Sequence, residues 1–515
     1  MKTKAKSFLE DNKSRIIKTT IAFVFPIAIC FLYCVLHGET LFDLYAPNSD
    51  NNDSLFYFKI AESMINSNGP RGYFGYNEEA ALIGVGGYWS PVLYLPWVVF
   101  GIVFGWGVKS VFIYNLIIIS GAFATFIYLT NPSIEKCISM VVLLALFPSF
   151  PAYIMSILPE IIILAVLLVF FGAVINEYEK GEEWIKQRYF LMYACVLYLT
   201  LARPYMSILM IFPCASLIKR GIKKAVIINI GLFLLFIGLY FIVFHFFSTP
   251  YYHSFSLAET IKLIVKGEKE FAIQKTKSTY QVLWVWISSS LRKSILDGYA
   301  VGIQYVVAFI SMIFVLVSSF FEKKKDLKIC FRIYSLIYTI VILANFLLMP
   351  KAFEIGRHLF SFAVIGCLLL CLSSEGIKIT VFKTLIASYL ITCLLRGSIN
   401  GAEYAVPYFD KDLAHIEEYW ENAFEAGLKD DKGGYNKTLI WVDEFGTENM
   451  HKELYALPIG MGINYCYSDY VINNWDGLKS RYIATATGSE IDKMCKKSQH
   501  REIGRTDDVV IYAMY

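Results

Sequence analysis

Apolar stretches of about 17 to 25 residues recur along this 515-residue chain, each long enough for a helix to cross a hydrocarbon core of about 30 Å. Inside a bilayer no water satisfies the backbone, so such blocks must fold as helices. Strands of an outer-membrane barrel would be about ten residues long with alternating polarity, a pattern these blocks lack. Composition agrees: 56% of residues are apolar or aromatic and 17% charged, against about 25% charged in soluble domains. A soluble enzyme, a disordered chain and a nucleic-acid binder are excluded. The net charge of +4 is too small to call for a polyanionic partner, so the placement of charge matters more than its sum.

The first block, Ile16 to about Leu36, follows Lys2, Lys4, Lys6, Lys13, Arg15 and Lys18 and lacks a small-x-small cleavage pattern after it. This reads as an uncleaved signal anchor with a cytoplasmic N-terminus. Residues 38–89 carry seven acidic residues against Lys59 and Arg71 and belong outside. Further blocks lie near 91–107, 110–129, 137–153, 158–175, 189–218, 225–247, 300–320, 331–349, 357–373 and 378–397. Taking 189–218 as one long or broken helix gives about eleven spans. It also keeps Lys219, Arg220, Lys223 and Lys224 inside with Lys323, Lys324, Lys325 and Lys328. Loop 248–298 and residues 398–515 then lie outside. Pro148, Pro151, Pro159 and Pro204 permit broken helices between 110 and 218, where a different pairing would move Glu160 to the other face.

The expected fold is therefore an α-helical polytopic membrane protein over 1–397 with a small extracytoplasmic α/β domain over 398–515. There, Thr438–Val442 and Val509–Tyr512 read as buried strands and 487–497 as a helix. Phe255, Leu257, Ile261, Leu263 and Ile264 are spaced for an interfacial helix in the second external loop. Of the eleven cysteines, Cys30, Cys34, Cys195, Cys214, Cys330, Cys367, Cys371 and Cys393 are among those that lie in apolar blocks and behave as small hydrophobes. Cys466 and Cys495 share the polar C-terminal region; a disulfide between them is left open, because sequence supplies no geometry.

The first external loop carries the most chemistry. In Asn52-Asp53-Ser54-Leu55-Phe56-Tyr57-Phe58-Lys59-Ile60-Ala61-Glu62, Asp53, Tyr57 and Ala61 stand four apart and share one helical face. Such a helix would lie at the membrane surface with a carboxylate at its start. Asp53 has two readings, a helix cap or a functional acid. Glu160 and Arg203, costly inside a bilayer, either pair with each other or line a polar cavity. His37, His253 and His358 fall on the outer side, where a neutral imidazole can act as base or ligand, though scattered histidines are usually bystanders. Glu78 and Glu79 read as solvated surface unless the loop folds back over Asp53.

The arrangement resembles the GT-C class of polytopic glycosyltransferases, which includes protein O-mannosyltransferases and the bacterial aminoarabinose transferase of lipid A. The acidic residue four before Tyr57, Gly69, and the Pro-initiated span after Tyr88-Trp89-Ser90-Pro91 carry the likeness. It continues in Ser156-Ile157-Leu158-Pro159-Glu160, Leu201-Ala202-Arg203-Pro204 and Gly356-Arg357-His358-Leu359, and covers roughly residues 16–400 in layout. Two departures stand out: His358 where relatives often have Tyr, and one clear Asp rather than an acidic pair. Both leave the metal requirement open between no cofactor and a divalent cation.

The resemblance implies transfer of a sugar from a polyprenyl-phosphate carrier to an extracytoplasmic glycan, lipid or protein acceptor. Asp53 would be the catalytic carboxylate. Arg357 and then Arg203, with His358 and Tyr57, would hold donor phosphate, because Arg grips phosphate oxygens at two points; Glu160, Glu78 and Glu79 would be supporting acids. No P-loop, HExxH helix or GxSxG elbow appears, so ATP-driven transport and the common hydrolase chemistries lose weight. The competing readings are a carrier or flippase of lipid-linked saccharides, which predicts inverted repeats, and a polysaccharide polymerase, for which only Arg71 and Arg292 lie in the large outer loops.

Overall fold

The computed structural model describes residues 2–36, 40–41, 44–45, 52–66, 77–78, 90–107, 109–179, 185–247, 257–297, 300–348, 350, 356–373, 376–400, 408–409, 413–424, 438–443, 450–458 and 461–514. Its helices are α1 (Lys2–Leu36), α2 (Asn52–Asn66), α3 (Leu95–Phe104), α4 (Ser110–Thr130), α5 (Ile134–Leu146), α6 (Ser149–Ile154), α7 (Glu160–Glu179) and α8 (Ile185–Ala202). They continue with α9 (Ile211–Lys219), α10 (Ala225–Phe247), α11 (Leu257–Val265), α12 (Lys269–Asp297), α13 (Ala300–Phe321), α14 (Lys325–Leu348), α15 (Arg357–Leu372) and α16 (Ile377–Asn400). Short 3-10 turns at Pro91–Tyr94 and Pro204–Met210 lead into α3 and α9. Seven helices, in α1, α4, α7, α10, α13, α14 and α16, are long and apolar enough to cross a bilayer.

Helix α7 is the axis of the bundle. An acidic residue stands near each of its ends, Glu160 and Glu177, about 26 Å apart at 1.5 Å per residue. Arg188 at the start of α8 reaches Glu177 at 3.3 Å; Arg203, just past the end of α8, reaches Glu160 at 2.6 Å; Arg220, just past α9, returns to Glu177 at 2.6 Å. The block 189–218 therefore traverses the bundle twice. Pro204 lacks a backbone donor and ends α8, so the chain turns back there.

Helix α3 goes the other way. Its ten residues rise only about 15 Å, and Gly105, at φ 93°, stops it. It lies along α2: Tyr94 stacks near Tyr57 at 5.4 Å between ring centroids, Trp106 near Phe58 at 5.2 Å, and Gly101 beside Ile65. The block 91–107 is a short helix beside α2 and not a span of its own. The two departures cancel: among the described residues α1, α4, α5 with α6, α7, α8, the Pro204–α9 segment, α10, α13, α14, α15 and α16 make eleven passages. The rim helix α10 turns Ile227, Leu234, Phe241 and Phe246 outward, as lipid-facing surface requires. Helix α15 is buried along its whole length.

Basic residues gather at the Glu177 end of the bundle. Lys18 donates to Asn131 Oδ1 and the Pro132 carbonyl, Lys136 to the Leu372 and Ser373 carbonyls at the end of α15, and Lys324 pairs with Glu179. Lysines so placed satisfy helix C-terminal carbonyls and complement the dipole.

The opposite end carries the α/β layer. Strand β1 (Leu44–Tyr45) pairs antiparallel with β2 (Tyr408–Phe409), and a five-stranded sheet runs in the order β4-β3-β5-β7-β6, with β3 (Thr438–Asp443), β4 (Gly462–Tyr467), β5 (Tyr482–Ala486), β6 (Arg501–Arg505) and β7 (Val509–Ala513). β3 pairs in parallel with β4 and β5, while β7 is antiparallel to β5 and β6. Between the strands stand α17 (Leu413–Ala423, before β3), α18 (Met450–Ala456), α19 (Ser468–Asn473) and α20 (Glu490–Lys497). The expected strands and the 487–497 helix correspond to β3, β7 and α20.

Within 248–298 the expected helix over Leu257, Ile261, Leu263 and Ile264 is α11, Phe255 lying outside the described residues, and the 29-residue α12 that follows packs on α13 and α16. Cys466 on β4 and Cys495 on α20 are both free thiols in one small apolar core. Burial pushes each thiol up to about 12, so both are inert hydrophobes rather than a bridge.

Candidate functional site

Four of the residues singled out from the sequence converge where α7 begins, α8 breaks and α15 begins. Arg203 Nη2 donates to Glu160 Oε1 at 2.6 Å, and Arg357 Nε stands 3.7 Å from the same oxygen. Arg203 Nη1 lies 3.1 Å from His358 Nδ1 and 3.4 Å from Tyr205 Oη, and Tyr205 Oη is 3.3 Å from His358 Nδ1. Glu160, Arg203, Arg357 and His358 are all buried. Ser361 Oγ donates to the Glu160 carbonyl at 3.3 Å and ties α15 to α7.

Local sequence explains each position. Pro159 starts α7, so Glu160 sits in the first turn, where the helix dipole favours a carboxylate. Arg203 has extended backbone at the end of α8, forced toward that region by the following proline. Gly356 precedes α15 at φ 73°, a left-handed conformation that side chains resist. A Cβ there would also stand 3.1 Å from the Tyr305 ring. Glycine thus lets Arg357 and His358 start a helix hard against α13.

A burial this polar needs its partners. An ion pair taken out of water repays the desolvation cost only when extra hydrogen bonds satisfy the remaining atoms. Here one carboxylate oxygen serves two guanidiniums, while an imidazole and a phenol take further Arg203 donors. The cluster is rich in donors, the chemistry that suits an anion with several oxygens.

Helix α2 is placed differently from the surface helix expected. From Ser54 to Ser63 it is buried on every side, between the α3 turn and the α/β layer. Lys59 pairs with Glu62 at 3.0 Å and donates to the Tyr455 and Leu457 carbonyls at 3.0 and 2.8 Å, capping the end of α18. Burial raises the Glu62 carboxyl above its ordinary value despite Lys59. Asp53 stands in the first turn of α2, at the end nearest Tyr57. Tyr57 makes ring contacts with Phe56 and Tyr94. A packed chain still joins α2 to the charged cluster: Tyr94 stacks on Trp97, and Trp97 Nε1 donates to Asn115 at 2.7 Å. Asn115 then donates to the Ile154 and Ser156 carbonyls, at the turn that leads into Glu160. From the other side Tyr198 of α8 donates to the Leu93 carbonyl at 2.9 Å.

Glu78 is not solvated surface. It is buried, and its carboxylate accepts the backbone N–H groups of Lys479 and Ser480 at 2.6 to 3.0 Å. Its neighbour Asn77 lies on the edge strand, donating its N–H to the Tyr465 carbonyl at 3.1 Å. This pair belongs to the seam between the first loop and the sheet, away from Glu160. Glu79, His37 and His253 lie outside the described residues. Among the described residues no group of three or more His, Cys, Asp or Glu side chains is arranged to hold a metal ion.

Sequence reasoning did not pick out Tyr205, Lys59 or Asn115. Tyr205 directly follows the Arg-Pro break, which was its one available signal. Lys59 and Asn115 act over contacts that no spacing reveals.

No family model matches this chain. No curated protein matches it either. Among solved structures it is similar to the crystal structure of ArnT from Cupriavidus metallidurans bound to undecaprenyl phosphate, with 12% identity and a TM-score of 0.42 over 97% of this chain and 98% of the other.

Proposed function

We propose that this chain is a GT-C-type membrane glycosyltransferase that moves a sugar from a polyprenyl-phosphate carrier to an extracytoplasmic acceptor. The observation that carries the reading is the convergence of Arg203 and Arg357 on one oxygen of Glu160, at a broken-helix junction joined by packing to the helix that bears Asp53. The end of the bundle holding Lys18, Lys136, Lys219 and Lys324 is taken as cytoplasmic by the positive-inside rule. The arginine cluster, α2 and the sheet then face the other side, where a carrier phosphate lies at the membrane surface.

In the reaction the acceptor oxygen bonds to the anomeric carbon as the bond from that carbon to the phosphate oxygen breaks. The electron pair leaves with the phosphate, whose growing charge the two guanidiniums stabilise. The acceptor's proton passes to the Asp53 carboxylate. Glu160 holds Arg203 in place rather than reacting itself.

The test is transfer by purified protein in vesicles, from a panel of polyprenyl-phosphate sugars. Asp53→Asn is expected to lower kcat by about 10²- to 10⁴-fold with an unchanged thermal transition. Arg357→Ala is expected to weaken donor use chiefly through KM. Wild-type transfer rates in Asp53→Asn would remove the catalytic assignment.

A further inference from the structure

Helix α12 meets three spans in succession, each in the half that lies away from Glu177. Tyr280 Oη donates to the Leu347 carbonyl of α14 at 2.7 Å, and its ring stands 5.5 Å from Phe346. Trp286 packs edge-on against Tyr305 of α13 at 5.8 Å, and a Cβ on Gly302 would collide with the Ser290 carbonyl, so α12 crosses α13 at a glycine. Ser294 Oγ accepts from Tyr389 Oη at 3.0 Å, and the Ser294 and Ile295 carbonyls accept from Cys393 and Arg396 of α16. From Tyr280 to Ile295 the helix advances about 22 Å, yet it moves from one span end to the next rather than down any of them. It therefore lies across the bundle, at the level of the membrane surface.

The outer surface of α11 and α12 is apolar and basic at once. Ile273, Trp284 and Ile295 recur every eleven residues, three helical turns, and so form one line along α12; all three are exposed, Trp284 at 68%. On α11, Ile261, Ile264 and Val265 are exposed at neighbouring helical positions. This surface runs on into the lipid-facing side of the bundle, where Leu347 lies beside Tyr280 and Leu395 beside Arg396. Over residues 260–296 seven basic residues stand against two acidic ones, and Lys266, Lys269, Lys277 and Arg292 are exposed. The positive-inside rule disfavours such an excess on the side opposite the cytoplasmic lysines, so these charges call for a partner of their own. Water suits the lysines but not a line of Ile and Trp, and a protein core suits the reverse. The zone between phospholipid phosphates and the upper acyl chains suits both. Trp sits at headgroup level there, while Lys and Arg stretch their stems toward phosphate.

We propose that α11 and α12 form an in-plane docking surface for anionic phospholipid, with the line of Ile273, Trp284 and Ile295 in the upper acyl region and Lys266, Lys269, Lys277 and Arg292 on lipid phosphates. The proposal goes beyond the transferase reading and does not depend on it. Phosphate oxygens accept from ammonium and guanidinium N–H groups, and each basic residue near an anionic surface strengthens attachment by about fivefold. Trp286 and Tyr305 alone separate this surface from Gly356 at the start of α15, so lipid seated on α12 braces the helix end that carries Arg357.

The full chain in nanodiscs tests this, with brominated lipid as the fluorescence quencher and the Trp284 signal taken as wild type minus Trp284→Phe. In phosphatidylcholine brominated on the upper acyl chain that signal is expected to be quenched. A small fraction of brominated phosphatidylglycerol, diluted in plain phosphatidylcholine, is expected to quench it about fivefold more than the same fraction of brominated phosphatidylcholine. Lys277→Gln combined with Arg292→Gln is expected to remove that preference and to leave quenching in fully brominated phosphatidylcholine unchanged. Three results overturn the proposal: a Trp284 signal untouched by brominated lipid, as water or a covering protein would give; equal quenching by the two headgroups; or a preference that survives the double substitution. If Trp284→Phe lowers the thermal transition, a nitroxide at Ile273→Cys, read against unsubstituted protein, takes its place. Greater access to oxygen than to a water-soluble nickel chelate supports the lipid position, and the reverse overturns it.

Discussion

Glu160 and Asp492 show how differently two buried carboxylates can be used. Glu160 is shared by two guanidiniums at a helix junction. Asp492, in α20, accepts from Tyr512 Oη at 2.6 Å, the Gly488 N–H at 2.8 Å, Lys496 at 3.0 Å and Arg505 at 3.3 Å. Burial pushes the Asp492 carboxyl up, but hydrogen bonds from Arg505, Tyr512, Gly488 and Lys496 outweigh it and hold it well below the usual carboxylate range. A carboxyl depressed in the folded state adds stability above its unfolded value of about 3.9, and that stability is lost as pH falls through the folded value. Asp492→Asn is thus expected to lower the thermal transition at neutral pH and to flatten its decline below about pH 4, as measured by calorimetry from pH 7 downward. Asp492 was within reach of the sequence, since Ser489 and Asp492 have capping-box spacing and Ser489 Oγ does accept the Asp492 N–H. Glu160, Arg203 and His358 were each visible as odd residues beside a proline or glycine. A Glu160–Arg203 pair was one of two readings the sequence left open, but its meeting with His358 was not visible, because that contact spans 155 residues of sequence.

At the scale of elements, the seam between α2, the Asn77-Glu78 turn and the sheet decides where Asp53 stands. An exposed edge strand invites pairing with other chains, and here Asn77 and Glu78 cover the β4 edge from within the molecule. The Glu78 carboxylate takes the backbone donors of Lys479 and Ser480, just ahead of β5. Glu78→Gln replaces one acceptor oxygen with a donor facing those N–H groups, and leaving charged-type bonds unmade costs about 1.5–3 kcal/mol. The expected result is faster proteolysis and amide exchange confined to residues 462–482, with α7 and α15 unchanged. Exchange mass spectrometry checks it, and uniform loss of protection across the bundle would contradict a local seam. Apolar block length misled at two elements. Block 91–107 is cut by Gly105, and block 189–218 folds back at Pro204; both breakers were visible, but hydropathy averages over them.

For the whole molecule, eleven passages put the two chain ends on opposite sides, and charge alone orients them. Reporters that fluoresce only in the cytoplasm, fused after residue 36 and after residue 515, are expected to stay dark, while one placed after Lys223 is expected to light. A bright signal after residue 36 would set the arginine cluster and Asp53 on the wrong side for a carrier-linked donor. The apolar surface turned outward by α10 and α16 makes lipid the natural surroundings of the bundle.

Block length and basic loops were enough to establish a multi-pass helical bundle and a proposed orientation, since both follow from local hydrophobicity and from charge near helix ends, which neighbours do not alter. Composition also marked off the C-terminal α/β layer, where alternating and 3.6-residue periods survive in short segments. The convergence of Glu160, Arg203, Arg357 and His358 and the docking of α2 beneath the sheet came from the fold. Those features depend on which helix ends meet and at what distance, and a linear chain carries no information about contact between residues far apart until packing brings them together.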